Sequence, residues 1–446
     1  MPKRPSRVVG LALAFLLAGC AAQVAAPRDG EPSPAASKSP SPTNATTDVL
    51  YISAAGSAFD ARVRVVDART GSAIRELKGG VASRDRSTLY STDYMSGGTK
   101  TQVRVTDLVT GSELRSFAIG GAFQTMFEGF VPVGPTGDGR WLVLAHDPYK
   151  LDDDYITQYA VVDTVAGTST SIELRHAWPY GFVALSPDGT RLYLVDSSSS
   201  AQPVGTRIYD VRTGKLRTAA VPGSEWNQSR AEGWRSSAIA SADGRWLFTV
   251  HTSATETPFV MALDTIGEKA ERIPFPADQK AAFDKSMLWS LVATRDGATL
   301  YAVNPAVGAI NEIDARAMSV RRSGRVLASA ADRGRAAALR QALFPAADAK
   351  RLLRSGAVLS LDERTLYAAG EVGLAVIDTR SLIATTWHKD WTFDLIAASP
   401  DGERLYALAS DAFNTVAIMS ARDGAMLGRI RLPWYPSAIL RVDLRG

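Results

Sequence analysis

Ser186-Pro-Asp-Gly-Thr-Arg-Leu-Tyr-Leu-Val-Asp196 decides the fold, because it returns almost unchanged as Ser399-Pro-Asp-Gly-Glu-Arg-Leu-Tyr-Ala-Leu-Ala409. The Asp-Gly dipeptide suits a tight hairpin, and Leu-Tyr opens a β-rich run. The turn aspartate recurs at Asp85, Asp138, Asp188, Asp243, Asp296, Asp362 and Asp401, at spacings of 53, 50, 55, 53, 66 and 39 residues. Spacings of about 50 residues mark an array of supersecondary units.

A second landmark lies downstream of each turn. An alternating strand ends in Asp and often Thr-Gly, as in Val65-Val-Asp-Ala-Arg-Thr-Gly71 and Val105-Thr-Asp-Leu-Val-Thr-Gly111. Asp163, Asp210, Asp264, Asp314 and Asp378 repeat it, with Ser420 in the last copy. Each unit thus holds four strands, the makeup of a propeller blade, and the amphipathic helical period of a solenoid is missing. The second landmark occurs eight times, because the chain opens inside a blade with Val49 to Ser53 as a second strand. Pro436-Ser-Ala-Ile-Leu-Arg-Val-Asp-Leu444 matches the first strand that this blade lacks. The expectation is an all-β fold: one propeller over 48–446, eight blades with seven as the alternative, closed by the C-terminal strand joining the N-terminal blade. Closure removes the sheet edges that a linear array leaves bare.

These repeats resemble the YVTN-type propeller repeats, relatives of the WD-repeat and quinoprotein-like propellers. Ser-Pro-Asp-Gly followed by Leu-Tyr is the most specific part of the match, and Arg84-Asp85-Arg86 and Leu361-Asp362-Glu363 depart from it. The resemblance implies a fold and a binding platform, and no reaction.

The N-terminus carries an address. Lys3, Arg4 and Arg7 precede an apolar run from Val8 to Leu17 that ends in Leu17-Ala18-Gly19-Cys20. That is the layout of a signal peptide over 1–19, too short to span a bilayer. The end of the run resembles the bacterial lipobox, which implies acylation of Cys20 and a membrane anchor. Cys20 is the only cysteine, so the exported chain forms no disulfide. Residues 20–47, rich in Pro, Ser and Ala, read as an extended tether some tens of ångströms long. The expected location is therefore outside the cytoplasm, on a bacterial membrane.

Composition narrows the function. A formal charge of +4 over 446 residues gives no reason to expect nucleic acid. No G-x-S-x-G elbow, H-E-x-x-H, P-loop, C-x-x-C-H or G-x-G-x-x-G is present, so no cofactor, metal or catalytic residue is expected. His146 and His251 share one repeat position with Asp93, Asp196 and Asn304, which suits turn capping better than metal ligation. The four aspartates of His146 to Tyr155 lack the ordered spacing of a calcium loop and read as a solvated charged loop.

In a propeller the Asp-Gly turns emerge on one face, and their shortness leaves that face little to bind with. The opposite face carries the long connections and most tryptophans: Trp178, Trp226, Trp234, Trp289, Trp387, Trp391 and Trp434. Tyr180, Phe393, Tyr435 and Arg235 accompany them. Two readings stay open for these aromatics: wedges between blades, or a funnel for a ligand or partner. The candidate ligand-binding residues are Trp178, Tyr180, Trp226, Trp234, Arg235, Trp391, Phe393, Trp434 and Tyr435. A basic stretch over 321–354 reads as a short helical insertion. Arg321, Arg322, Arg325, Arg333, Arg335 and Arg340 are its candidates for contact with anionic lipid. The function expected is a non-catalytic, lipid-anchored platform for a protein, peptide or envelope component. The alternative is a lactonase-like or quinoprotein-like enzyme working in the central funnel.

Overall fold

The structure is a computed structural model and describes residues 47–54, 61–126, 135–196, 205–225, 233–253, 256–326, 356–371, 373–409 and 414–444. Among these, thirty-two strands, β1 to β32 in chain order, form eight four-stranded antiparallel sheets. The sheets stand in a ring as the blades of a propeller. The innermost strands are β4 (Val81–Ala82), β8 (Gln124–Thr125), β12 (Tyr180–Leu185), β16 (Gly233–Ala240), β20 (Ser290–Ala293), β24 (Ala357–Leu359), β28 (Phe393–Ala398) and β32 (Pro436–Asp443). The first blade has the order β3 (Ala73–Lys78), β2 (Arg62–Asp67), β1 (Val49–Ala54), β32. The C-terminal strand therefore closes the ring as expected, running from Val49 opposite Asp443 to Ala54 opposite Pro436.

The repeated residues act at the joints. In the turn at each repeated aspartate, the Ser or Thr two residues before it holds two groups. Ser186 Oγ donates to Asp188 at 2.5 Å and accepts the Arg191 N–H at 2.9 Å. Ser241, Ser360 and Ser399 repeat both bonds. The Ser241 hydroxyl, followed by the Arg245 N–H, holds the Asp243 carboxyl below its usual range. Gly189 has φ +71°, and a Cβ there would lie 2.3 Å from the Trp141 ring of the preceding blade. Two independent demands thus fall on one glycine.

The Leu-Tyr pair divides the work. Leu89, Leu192, Leu366 and Leu405 are buried core, while the tyrosine reaches the next blade. Tyr90 Oη donates to Gly139 O (3.1 Å), Tyr193 Oη to Thr265 O (2.8 Å) and Tyr367 Oη to Ala421 O (2.7 Å). Farther out, arginines of the fourth strands clasp the following blade. Arg75 donates to Val109 O (2.9 Å), Arg115 to Thr164 O (2.9 Å) and Arg322 to Thr379 O (3.0 Å). Apolar clusters fill the spaces between sheets, one joining Phe248, Val260 and Phe275 to Trp289, Leu300 and Ile313.

Trp289 stands near the centre of that cluster, 1% exposed, with its ring 4.7 Å from Phe275 and no partner for Nε1 among the described residues. Its contribution is therefore packing. Trp289→Ala is expected to cost about 3–5 kcal/mol and Trp289→Phe far less, since no hydrogen bond is lost. Urea unfolding of both variants measures the difference.

Candidate functional site

The first-to-second and third-to-fourth strand turns emerge on one face, the turn face. The second-to-third connections and the links between blades emerge on the other, the loop face. The aromatic residues expected there are placed as follows. Trp178, in the link before β12, is half-buried and stacks on Tyr155 (6.1 Å, 19°). Tyr180 is buried, with its N–H on Thr157 Oγ1 (3.1 Å) and its carbonyl accepting from Tyr159 Oη (2.7 Å). Phe393 is buried beneath Trp391, and the Arg429 guanidinium lies 4.2 Å from the Trp391 ring centre. Trp434 is half-buried under Arg64, while the adjacent Tyr435 is exposed. Arg235 spans two blades, donating from Nη1 to Phe182 O at 2.9 Å. Trp387 ends β27 (Ala384–Trp387) and lies over Gly424. Most of these rings therefore pack against neighbours, and among the described candidates Tyr435 alone stands well out of the surface. Cys20, Trp226, Arg333, Arg335 and Arg340 lie outside the described residues, as does the side chain of Trp234.

The basic stretch starts as strand, not helix: β23 runs from Ser319 to Arg325. Its arginines are engaged within the fold. Arg321 pairs with Asp314 (2.6 Å), Arg322 with Glu312, and Arg325 with Asp278 (3.0 Å). The Ala317 N–H, the Arg321 guanidinium and the Arg316 N–H bring the Asp314 carboxyl down to about 2.

The largest departure from the sequence reading is at His146 to Tyr155. Instead of a loop, β9 (Trp141–Leu151) and β10 (Asp154–Asp163) form a long hairpin that turns at Asp152, φ 56°. Arg175 pairs with Asp154 (3.0 Å) and Asp152 (3.2 Å), neutralising part of the acidic run. A similar hairpin, β5 (Thr88–Met95) and β6 (Lys100–Asp107), belongs to the preceding blade. The two adjoin: burial, then the Asp147 carboxylate, push the Tyr94 hydroxyl above the usual tyrosine range. Their tips present Tyr94, Met95, Tyr149 and Leu151, all between 38% and 46% exposed. This aromatic and apolar ridge was not singled out in the sequence. The available signal was period-two alternation running past the repeat's usual strand length, masked by the aspartates.

His251, at the repeat position shared with His146, is buried and stacks on Phe259 (5.1 Å, 8°). Burial, followed by the charges of Arg235 and Arg272, lowers its pKa to about 3. Asn304 at the same position caps a turn, accepting the Ala306 (3.0 Å) and Val307 (3.1 Å) N–H groups. No group of three His, Cys, Asp or Glu poised to hold a metal occurs among the described residues. An unfolded histidine titrates near pH 6.5. Between that value and about 3 the unfolded chain binds a proton that folded His251 refuses. Stability is expected to fall as pH drops through this window, and less steeply in His251→Asn. Thermal unfolding at pH 7, 6, 5 and 4 checks it.

The channel side of these blades carries strand irregularities. The pairing of β16 shifts between Arg235 and Ser237, and that of β28 between Phe393 and Leu395. The extra residues are Ser236 and Asp394, at equivalent repeat positions. Ser236 is buried, and its hydroxyl has no partner among the described residues. Such bulges bend the inner strands and re-aim side chains near the mouth.

No family model matches the chain, and no curated protein matches it. Among solved structures, a chain of Kuenenia stuttgartiensis hydrazine synthase is 16% identical over 80% of this chain and 89% of its own, TM-score 0.39. Apo AztD from Citrobacter koseri is 13% identical over 89% and 98%, TM-score 0.48. The periplasmic gluconolactonase PpgL of Pseudomonas aeruginosa is 17% identical over 78% and 97%, TM-score 0.40. Likeness at this level carries no argument about ligand or reaction; the propeller rests on the eight sheets and their closure.

Proposed function

We propose that this protein is a non-catalytic propeller, exported and acylated at Cys20, that binds a protein or peptide of the cell envelope through its loop face. The observation that carries the reading is the ridge of Tyr94, Met95, Tyr149 and Leu151 on adjoining hairpins. Large aromatic side chains and methionine anchor partner surfaces, giving contact area at low entropic cost. The resemblance to YVTN-type repeats suits the same reading, since it implies a binding platform and no reaction.

In-cell crosslinking and affinity capture test it, with a Tyr94→Ala/Tyr149→Ala variant beside the native chain. Both side chains are exposed, so folding is retained. A captured partner is expected to be lost at least about tenfold from the variant, as truncating interface anchors does. Undiminished capture overturns the assignment of the ridge. Mass spectrometry of the N-terminal peptide tests acylation separately.

A further inference from the structure

The turn face has its own pattern. In each blade the third strand ends in the second landmark, and the residue two positions later is the tip of the turn. Those eight tips are Arg69, Val109, Val165, Arg212, Ile266, Arg316, Arg380 and Arg422, without one small polar residue of the kind turns favour. All eight are exposed, with Val109 at 38%, Val165 at 62% and Ile266 at 52%. None of the five arginines forms an ion pair among the described residues. Leu361 and Ile383 add to the exposed apolar surface on this face.

The tips are held rigidly. Turn carboxylates accept the N–H of Arg69 (2.9 Å), Val165 (2.9 Å), Ile266 (3.0 Å), Arg316 (2.9 Å) and Arg380 (3.1 Å). The Val109 and Val165 carbonyls are gripped by Arg75 and Arg115 of the preceding blades. The two faces also differ in kind. Among the described residues, exposed large apolar side chains on the loop face are Tyr, Met and Leu, whereas those on the turn face are Val, Ile and Leu.

The chain enters the propeller on this same face. Asp48 immediately precedes β1, the second strand of the first blade, and its carbonyl accepts the Ala68 N–H (2.9 Å), one residue from the Arg69 tip. Cys20 precedes this point of entry by 28 residues of sequence.

We propose that the turn face rests on the phospholipid surface that holds the anchor, leaving the loop face turned away from the membrane. This rests on acylation of Cys20 as read above. Aliphatic tips enter the headgroup boundary, and guanidinium groups meet lipid phosphates through paired N–H donors.

The test uses the full chain in vesicles of phosphatidylethanolamine and phosphatidylglycerol. Because Cys20 is the only native cysteine and its acylated thiol does not react, a label goes only where a cysteine is introduced. Val165→Cys, Ile266→Cys and Tyr149→Cys chains carry an environment-sensitive fluorophore, and brominated lipids serve as quenchers. Blue-shifted emission and quenching are expected at 165 and 266, with neither at 149. Adding Val109→Asp, and placing Asp at whichever of 165 and 266 is unlabelled, is expected to abolish the shift without detaching the chain. Equal quenching at all three sites, or quenching at 149 alone, overturns the proposal. If mass spectrometry shows Cys20 unacylated, the anchor reading fails by itself. Unquenched fluorescence at 165 and 266 in a Cys20→Ser chain with added vesicles then overturns the turn-face contact as well.

Discussion

A chain ending at Tyr435 is expected to lose cooperative folding. β32 supplies the innermost strand of the first blade, and every other described strand already has its own place in a blade. Its Ile439 and Val442 are buried with Leu408, Val416, Ile418 and Leu432 of the neighbouring blade. Each such side chain contributes about 1.5–3 kcal/mol of burial. Removing the strand also bares the edge of β1 and the flank of β28, so the loss approaches the ~5–15 kcal/mol that holds a typical domain together. Denaturant unfolding followed by circular dichroism checks this: the truncated chain should show a broad transition at low urea. A sharp transition at the native midpoint means that the ring does not depend on its closing strand.

The second large effect is expected at the same seam. Asp48 is 1% exposed, and its carboxylate accepts from Arg404 Nε (2.8 Å), Arg404 Nη2 (3.2 Å) and the Tyr406 hydroxyl of the last blade. Where Tyr90, Tyr193 and Tyr367 join blades through a backbone carbonyl, the first and last blades join through a tyrosine on a charge. Asp48→Ala leaves the Arg404 guanidinium and the Tyr406 hydroxyl short of a partner, at a cost of about 3–5 kcal/mol. Tyr406→Phe removes one charge-assisted bond and costs about 1.5–3 kcal/mol. Because all three groups share one network, Asp48→Ala/Tyr406→Phe should cost less than the sum of the single changes. Additive losses mean that the two side chains do not act together.

The parts of the fold legible in the sequence were those in which one residue type is forced at a fixed spacing. Asp-Gly turns need positive φ, the Ser or Thr before them closes the turn, and Leu-Tyr joins core to neighbour. Those demands recur in blade after blade, so the strand count and the closing role of Pro436 to Asp443 followed from the spacing. The loop face is different because nothing repeats there. Tyr94 and Tyr149 sit at the ends of hairpins of unequal length, and no period marks them out. The string Asp152-Asp-Asp154 looked like solvent-facing loop because charge hid the alternation of the strands on either side. The tryptophans were easier to find than to interpret. Trp178 and Trp391 lie at equivalent repeat positions, yet spacing does not tell a ring stacked on Tyr155 or Phe393 from one facing a ligand. The turn-face tips were visible as sequence in every second landmark. Their meaning depended on exposure and on where Asp48 enters, and neither is written in the repeat.

The most direct test of the binding-platform reading is site-specific photocrosslinking in the cell, with the reactive side chain placed at Tyr149 in one chain and at Arg212 in another. A discrete protein adduct is expected from position 149 and disappears when Tyr94→Ala is added, and no protein adduct is expected from position 212. A protein adduct from position 212 alone, or none from either, contradicts that reading.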